Sequence, residues 1–92
     1  MYKILPNVQE QAKKLNVDIK PSVIQGKKLD VYKNGKKLCS IGDINYSDYS
    51  NYIKSHGLVY ANEKRRLYKI RHKKDLTVVG TPGYYASKIL WQ

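Results

Sequence analysis

The residues with most to offer chemically lie in one stretch, residues 63–74, which reads EKRRLYKIRHKK and is followed by Asp75. It holds all three arginines of the chain and seven of its 18 Lys+Arg residues against one glutamate, more than half of the formal net charge of +11. Like charges packed this densely repel and gain nothing unless an anion lies nearby. Every basic residue outside the stretch is lysine. A planar guanidinium pairs with two oxygens of a phosphate or carboxylate at once, or braces buried carbonyls, which an ammonium does not imitate. Lys64, Arg65, Arg66, Lys69, His72 and Lys73 are therefore candidate anion contacts. Lys33, Lys36 and Lys37 add a second basic group earlier in the chain.

Catalysis asks for other patterns: a nucleophile with a base, paired carboxylates, or metal-ligand spacing. Two histidines, one cysteine and seven scattered acids form no H-x-x-x-H or C-x-x-C, and Gly80-Thr81-Pro82-Gly83 lacks the lysine and spacing of a phosphate-binding loop. The sequence predicts a non-enzymatic protein with no catalytic residue, no metal site and no cofactor. The nearest enzymatic alternative is a nuclease assisted by His72.

These residues need a scaffold. At 41% apolar and 27% charged, the composition is that of a folded chain, and 92 residues suffice for one core. Cys39 has no partner for a disulfide and is read as a small buried residue of a strand. No secretory leader pattern opens the chain and no apolar run is long enough to span a bilayer, so an aqueous, reducing compartment and no secretion are expected. Nine tyrosines and no phenylalanine suit rings at the margin of a small core or in a contact surface.

Read in order, residues 1–6 make an edge strand or a docked tail. A helix over residues 7–15 follows, capped by Asn7 with Glu10 three residues on, and Val17 to Ile19 is a short strand before Pro21. The period then becomes two. Asn34-Gly35 marks a type I′ turn in a hairpin over about 28–41, placing Val31 opposite Leu38, Asp30 opposite Cys39 and Leu29 opposite Ser40. Further helices are expected over 47–56 with Ser47 as cap, over 62–75, and over 82–91 with Thr81 as cap and Pro82 at the first helical position, plus a short strand over 76–79. The fold class is thus α+β: one domain over 1–92, with one antiparallel hairpin packed against three or four short helices. Its core should include Leu29, Val31, Leu38, Ile53, Leu67, Ile70, Ile89, Leu90 and Trp91.

On a helical wheel of the basic helix, Leu67 and Ile70 mark one apolar sector, Ala61 and Tyr68 another, and Arg65, Arg66, Lys69, His72 and Lys73 fill the remaining arc. Arg71 falls between the apolar sectors. It is expected to turn inward and pair with Asp48 or Asp43, while Arg65 and Arg66 stay outward for a ligand. Tyr68 and Trp91 are read as structural.

Several of these elements together resemble a known set of proteins. Gly26-Lys27-Lys28, Ile41-Gly42-Asp43 with Tyr46 and Asp48-Tyr49, Arg65-Arg66 with Tyr68, Arg71-His72, Gly83-Tyr84-Tyr85-Ala86 and Ile89-Leu90-Trp91 look like small basic proteins of large double-stranded DNA viruses of eukaryotes and of some tailed phages. The resemblance covers residues 21–91 and leaves the first twenty outside. A His-x-Asp element of that set is not kept, since Gly57 and Leu58 follow His56. The set has no agreed activity, so the resemblance implies a viral origin and a place in the virion or in the cytoplasm or nucleus of an infected cell.

Charge and tyrosine content together predict nucleic-acid binding, mainly through phosphates and to DNA ahead of RNA, with tyrosines able to stack on unpaired bases. The alternative is a minor structural protein of a virus particle, capsid-associated or cementing, its positive charge matched to acidic virion proteins. Neither reading involves a membrane or a small-molecule substrate.

Overall fold

The computed structural model describes residues 2–92. In chain order these form α1 (Pro6–Lys14), β1 (Asp18–Pro21), β2 (Lys27–Lys33), β3 (Lys36–Asp43), α2 (Tyr49–His56), α3 (Leu58–Arg71), a 3-10 turn (Asp75–Thr77) and α4 (Pro82–Ile89). The fold is α+β. The hairpin is part of a three-stranded antiparallel meander in the order β1-β2-β3, with Asp18 to Pro21 completing the sheet.

Asn34 and Gly35 both take positive φ, 53° and 78°, as a type I′ turn requires. Lys33 faces Lys36 and Tyr32 faces Lys37. There the expected register ends. A bulge shifts the pairing by one residue, so that Val31 faces Cys39, Asp30 faces Ser40 and Leu29 faces Ile41. A one-residue shift exchanges the two faces of a strand. Leu38, expected in the core, is 41% exposed, and Ile41 is 1% exposed in its place. The shift also satisfies a buried acid: Asp30 accepts hydrogen bonds from Ser22 Oγ and Ser40 Oγ, both at 2.6 Å, and its Oδ1 lies 3.6 Å from Lys37 Nζ. Burial pushes the Asp30 carboxyl up, but the two hydroxyls, the Val23 amide and Lys37 outweigh it and hold the group below the usual aspartate range.

α1 packs on β1 and α4, and α4 packs on β3 and the 3-10 turn. Val8, Ala12, Ile19, Leu29, Val31, Ile41, Ile89 and Leu90 form the centre of the resulting core. α1 starts one residue earlier than expected. Pro6 occupies its first turn, Leu5 is its cap residue, and the expected Asn7 side-chain cap is not formed. Tyr2, near the start, docks as a tail through its hydroxyl on Asp48. Asp48, not Ser47, caps α2, its side chain accepting from the Asn51 amide at 3.2 Å.

α2 and α3 are separated only by Gly57, at φ 89°. α3 therefore begins at Leu58 rather than Asn62, and it ends at Arg71 rather than Asp75. No strand forms over 76–79; the chain takes the 3-10 turn there and enters α4 through the Thr81 cap, whose hydroxyl accepts from the Tyr84 amide. α3 uses only one of its two apolar sectors. Ala61 and Tyr68 face inward, Tyr68 against Trp91, while Leu67 and Ile70, expected in the core, are 39% and 60% exposed on the outer side. Ile53 is half-buried against the core. Trp91 is 9% exposed and stacks on Tyr68 at 4.6 Å with the rings 7° from parallel.

Candidate functional site

The helix cations divide among three directions, because α3 rests against the end of the chain along its Ala61–Tyr68 side. Arg65 points inward. Its Nη1 donates to the main-chain oxygen of Gln92 at 2.8 Å, its Nη2 donates to Asn62 Oδ1 at 3.3 Å, and its guanidinium lies 4.4 Å from the centre of the Tyr49 ring. Arg66 points outward and makes an exposed pair with Glu63. Arg71, expected to turn inward, is exposed and makes no ion pair or side-chain hydrogen bond among the described residues. The roles expected for Arg65 and Arg71 are exchanged.

Asp48 is not free to receive an arginine. It is fully buried, caps α2, accepts from the Tyr2 hydroxyl at 2.5 Å and pairs with Lys28 Nζ at 3.2 Å. Lys28 is itself buried, so the pair ties β2, α2 and the N-terminal segment together. Burial, and then the Asp48 carboxylate, push the Tyr2 hydroxyl far above the usual phenol range. Tyr2 stays neutral and donates.

Arg71 opens instead into a cleft of about 710 Å³ between α3, the open end of the β2–β3 hairpin and the start of α4. Lys27 and Lys64 share its lining, as do Tyr46, Tyr52 and Tyr68. One wall is a run of aromatic rings. His72 stacks on Tyr68 at 4.4 Å, Tyr68 on Trp91 at 4.6 Å, and Trp91 meets Tyr52 at 6.0 Å. Tyr52 continues to Tyr60 at 5.5 Å, and Tyr60 stacks on His56 at 4.4 Å. His72 Nδ1 lies 3.3 Å from Asp75 Oδ2, which fixes the ring over Tyr68. Burial, and then Asp75, push the Tyr68 hydroxyl up against an opposing effect of Arg71, so Tyr68 remains a neutral ring.

The acids of the cleft are engaged locally. Asp43 accepts from the Asn45 amide, and Asp75 faces His72. Gly83 lets α4 approach Asp75 closely; a Cβ there would stand 2.5 Å from Asp75 Cβ. Lys27, Lys64 and Arg71 make no ion pair among the described residues. Lys64 Nζ instead lies 5.4 Å from the Tyr60 ring centre. Three cations without acid partners thus border an aromatic wall, an arrangement suited to a ligand with negative charge and flat rings.

The expected site residues are not all brought together. Lys64 and His72 line the cleft. Lys33 and Lys36 sit at the hairpin turn, six residues along β2 from Lys27, hence roughly 20 Å from the cleft end of the sheet. Lys37 is engaged with Asp30. Lys69 lines a separate pocket on the other side of α3. Lys73 is exposed just beyond the helix end. Sequence reasoning missed Lys27, Tyr46 and Tyr52. Only the Asn34-Gly35 turn hints at Lys27, since counting back along the hairpin places it at the open end. Comparison with models of known families, with characterised proteins and with solved structures finds no match to this chain.

Proposed function

We propose that this protein binds nucleic acid without acting on it chemically, using the cleft beside α3. Phosphates would meet Lys27, Lys64 and Arg71, and unpaired bases would lie against the accessible faces of Tyr46 and Tyr52. The observation that carries this reading is the meeting, in one cleft, of an aromatic wall with three cations that make no ion pair among the described residues. A base stacked on an aromatic side chain is worth about 1–3 kcal/mol, and each neutralised phosphate steepens the salt dependence by about 0.7–0.9. Lys33 and Lys36 at the far turn add long-range attraction rather than contacts in the cleft. DNA is the favoured ligand ahead of RNA.

The test is electrophoretic retardation of random single-stranded and duplex DNA at rising salt. Wild type should retard both, and Lys64→Ala with Arg71→Ala should weaken binding and lower the salt slope by about 1.4–1.8 units. An unchanged affinity and slope in this double variant would remove the cleft from the binding surface. A second reading, a minor structural protein of a virus particle, is favoured by one feature: Val23, Val59, Ile70 and Val79 are large apolar side chains left exposed. A wild-type protein that fails to retard DNA even at low salt would decide for that reading.

A further inference from the structure

The face of α3 turned away from the rest of the protein stays open. Val59, Glu63, Arg66, Leu67 and Ile70 fall within one arc of about 100° on this helix, and all five are exposed, Val59 at 86%. α3 makes its packing contacts elsewhere, with α2 and, through Tyr68, with Trp91. Apolar side chains scattered singly over a surface need no explanation. These are not scattered: positions 59, 63, 66 and 70 follow one another at steps of four, three and four, the seam along which one helix packs on a second.

The charge on this seam is balanced, in a chain of net charge +11. Its only charged members are Glu63, the one acid of the basic stretch 63–74, and Arg66. The two now pair with each other in solvent, and the hydrogen bond from Arg66 holds the Glu63 carboxyl below the usual glutamate range. An exposed pair of this kind contributes little to stability, so exchanging it for a partner's groups costs little. A neutral strip gives a polyanion no purchase and does not repel another copy at contact distance. Salt screens the remaining positive charge beyond about 8 Å at physiological ionic strength. The layout is also its own complement. Two antiparallel copies of α3 that cross midway between positions 64 and 65 set Val59 of one against Ile70 of the other, and Glu63 of one against Arg66 of the other, twice over.

We infer that this seam of α3 binds a second copy of the same chain, antiparallel, with reciprocal Glu63–Arg66 ion pairs at the centre and a contact of Val59 with Ile70 at either end. A contact that is the same on both copies closes on itself and stops at the dimer. α3 is roughly 21 Å long for its 14 residues. One helix width along that length falls short of the ~1,200 Å² of a standard interface, which makes the dimer a weak one, with a dissociation constant of roughly 10–300 µM. Lys64 and Arg71 lie about a quarter turn round α3 from the seam. A two-fold axis perpendicular to the helices therefore leaves both clefts open on the same side of the dimer, where one long strand meets the two together. That benefit rests on the cleft binding nucleic acid; the dimer itself does not.

The experiment is sedimentation equilibrium of the full chain without nucleic acid, at physiological ionic strength and at loadings of about 5 µM to 1 mM, which bracket the expected constant. Wild type should pass from monomer to dimer and no further. Glu63→Arg gives the seam two guanidinium groups and Arg66→Glu gives it two carboxylates, so each variant alone should dimerise about tenfold or more weakly. Mixed in equal amounts, the two should associate with one another about as tightly as wild type does, because every charge then faces its opposite. Ile70→Asp should weaken the dimer independently of the ion pairs, and Lys64→Ala with Arg71→Ala, off the seam, should dimerise as wild type does. All of these positions but the half-buried Lys64 are exposed. A wild type that stays monomeric or grows past the dimer, single variants that dimerise undiminished, or a mixture no tighter than its components would overturn the proposal. Since no nucleic acid is present, failure here leaves the reading of the cleft standing, and failure to retard DNA leaves the dimer standing.

Discussion

Arginine 65 offers the sharpest test of how this chain is held together, because its neighbour in the sequence pattern, Arg71, serves as an internal control. Arg65→Ala removes a hydrogen bond to the Gln92 main-chain oxygen, another to Asn62 and the contact over the Tyr49 ring. A hydrogen bond from a charged group contributes about 1.5–3 kcal/mol, and a cation over an aromatic ring about 0.5–1 kcal/mol where it is partly exposed. Arg65 is half-buried and the Asn62 bond is long and exposed, so the lower part of this range applies. A loss of about 2 kcal/mol is expected. For a domain of this size each kcal/mol moves the midpoint by about 4–8 °C, giving a fall of roughly 8–16 °C. Arg71→Ala touches no partner among the described residues and should stay within about 0.5 kcal/mol of wild type. Thermal unfolding followed by circular dichroism reads both. The reasoning is refuted if the two variants melt together, or if Arg71→Ala is the less stable.

The bulge in the hairpin makes a second prediction: Ile41→Ala should cost about 2–5 kcal/mol as a buried aliphatic truncation, and Leu38→Ala under about 1 kcal/mol. Chemical denaturation giving the reverse order would restore the unbulged register. A third concerns acid. Because the folded pKa of Asp30 is depressed below its unfolded value, its contribution is fully present above about pH 4 and is lost as the pH falls through the folded pKa. Asp30→Asn should therefore be less stable than wild type at neutral pH, with the gap narrowing on acidification. Melting curves whose separation stays constant from pH 7 to pH 2 would contradict this.

How much of this was legible in the residues follows from the range over which each signal acts. Asn34-Gly35 specifies its turn through its own backbone, and Thr81-Pro82 starts α4 through a bond three residues long. The hairpin, the last helix, the α+β class and burial of Leu29, Val31, Ile89, Leu90 and Trp91 could therefore be read directly. The bulge could not, because it goes with Ser22, just past the end of β1, and Ser40, on β3, converging on Asp30. The same holds for α3. Its wheel offers two apolar sectors, and only the position of Trp91, 23 residues beyond Tyr68, decides which is buried. That choice turned Arg65 inward and Arg71 outward, and it set Lys64 on one side of the helix and Lys69 on the other. The sequence by itself determined how much positive charge the protein carries and that its densest run lies over residues 63–74. Tertiary packing alone decided which of those charges stand beside aromatic rings, which line a separate pocket, and which hold the chain's end in place, because charge is a property of residues and a site is a property of the neighbours that folding brings to them.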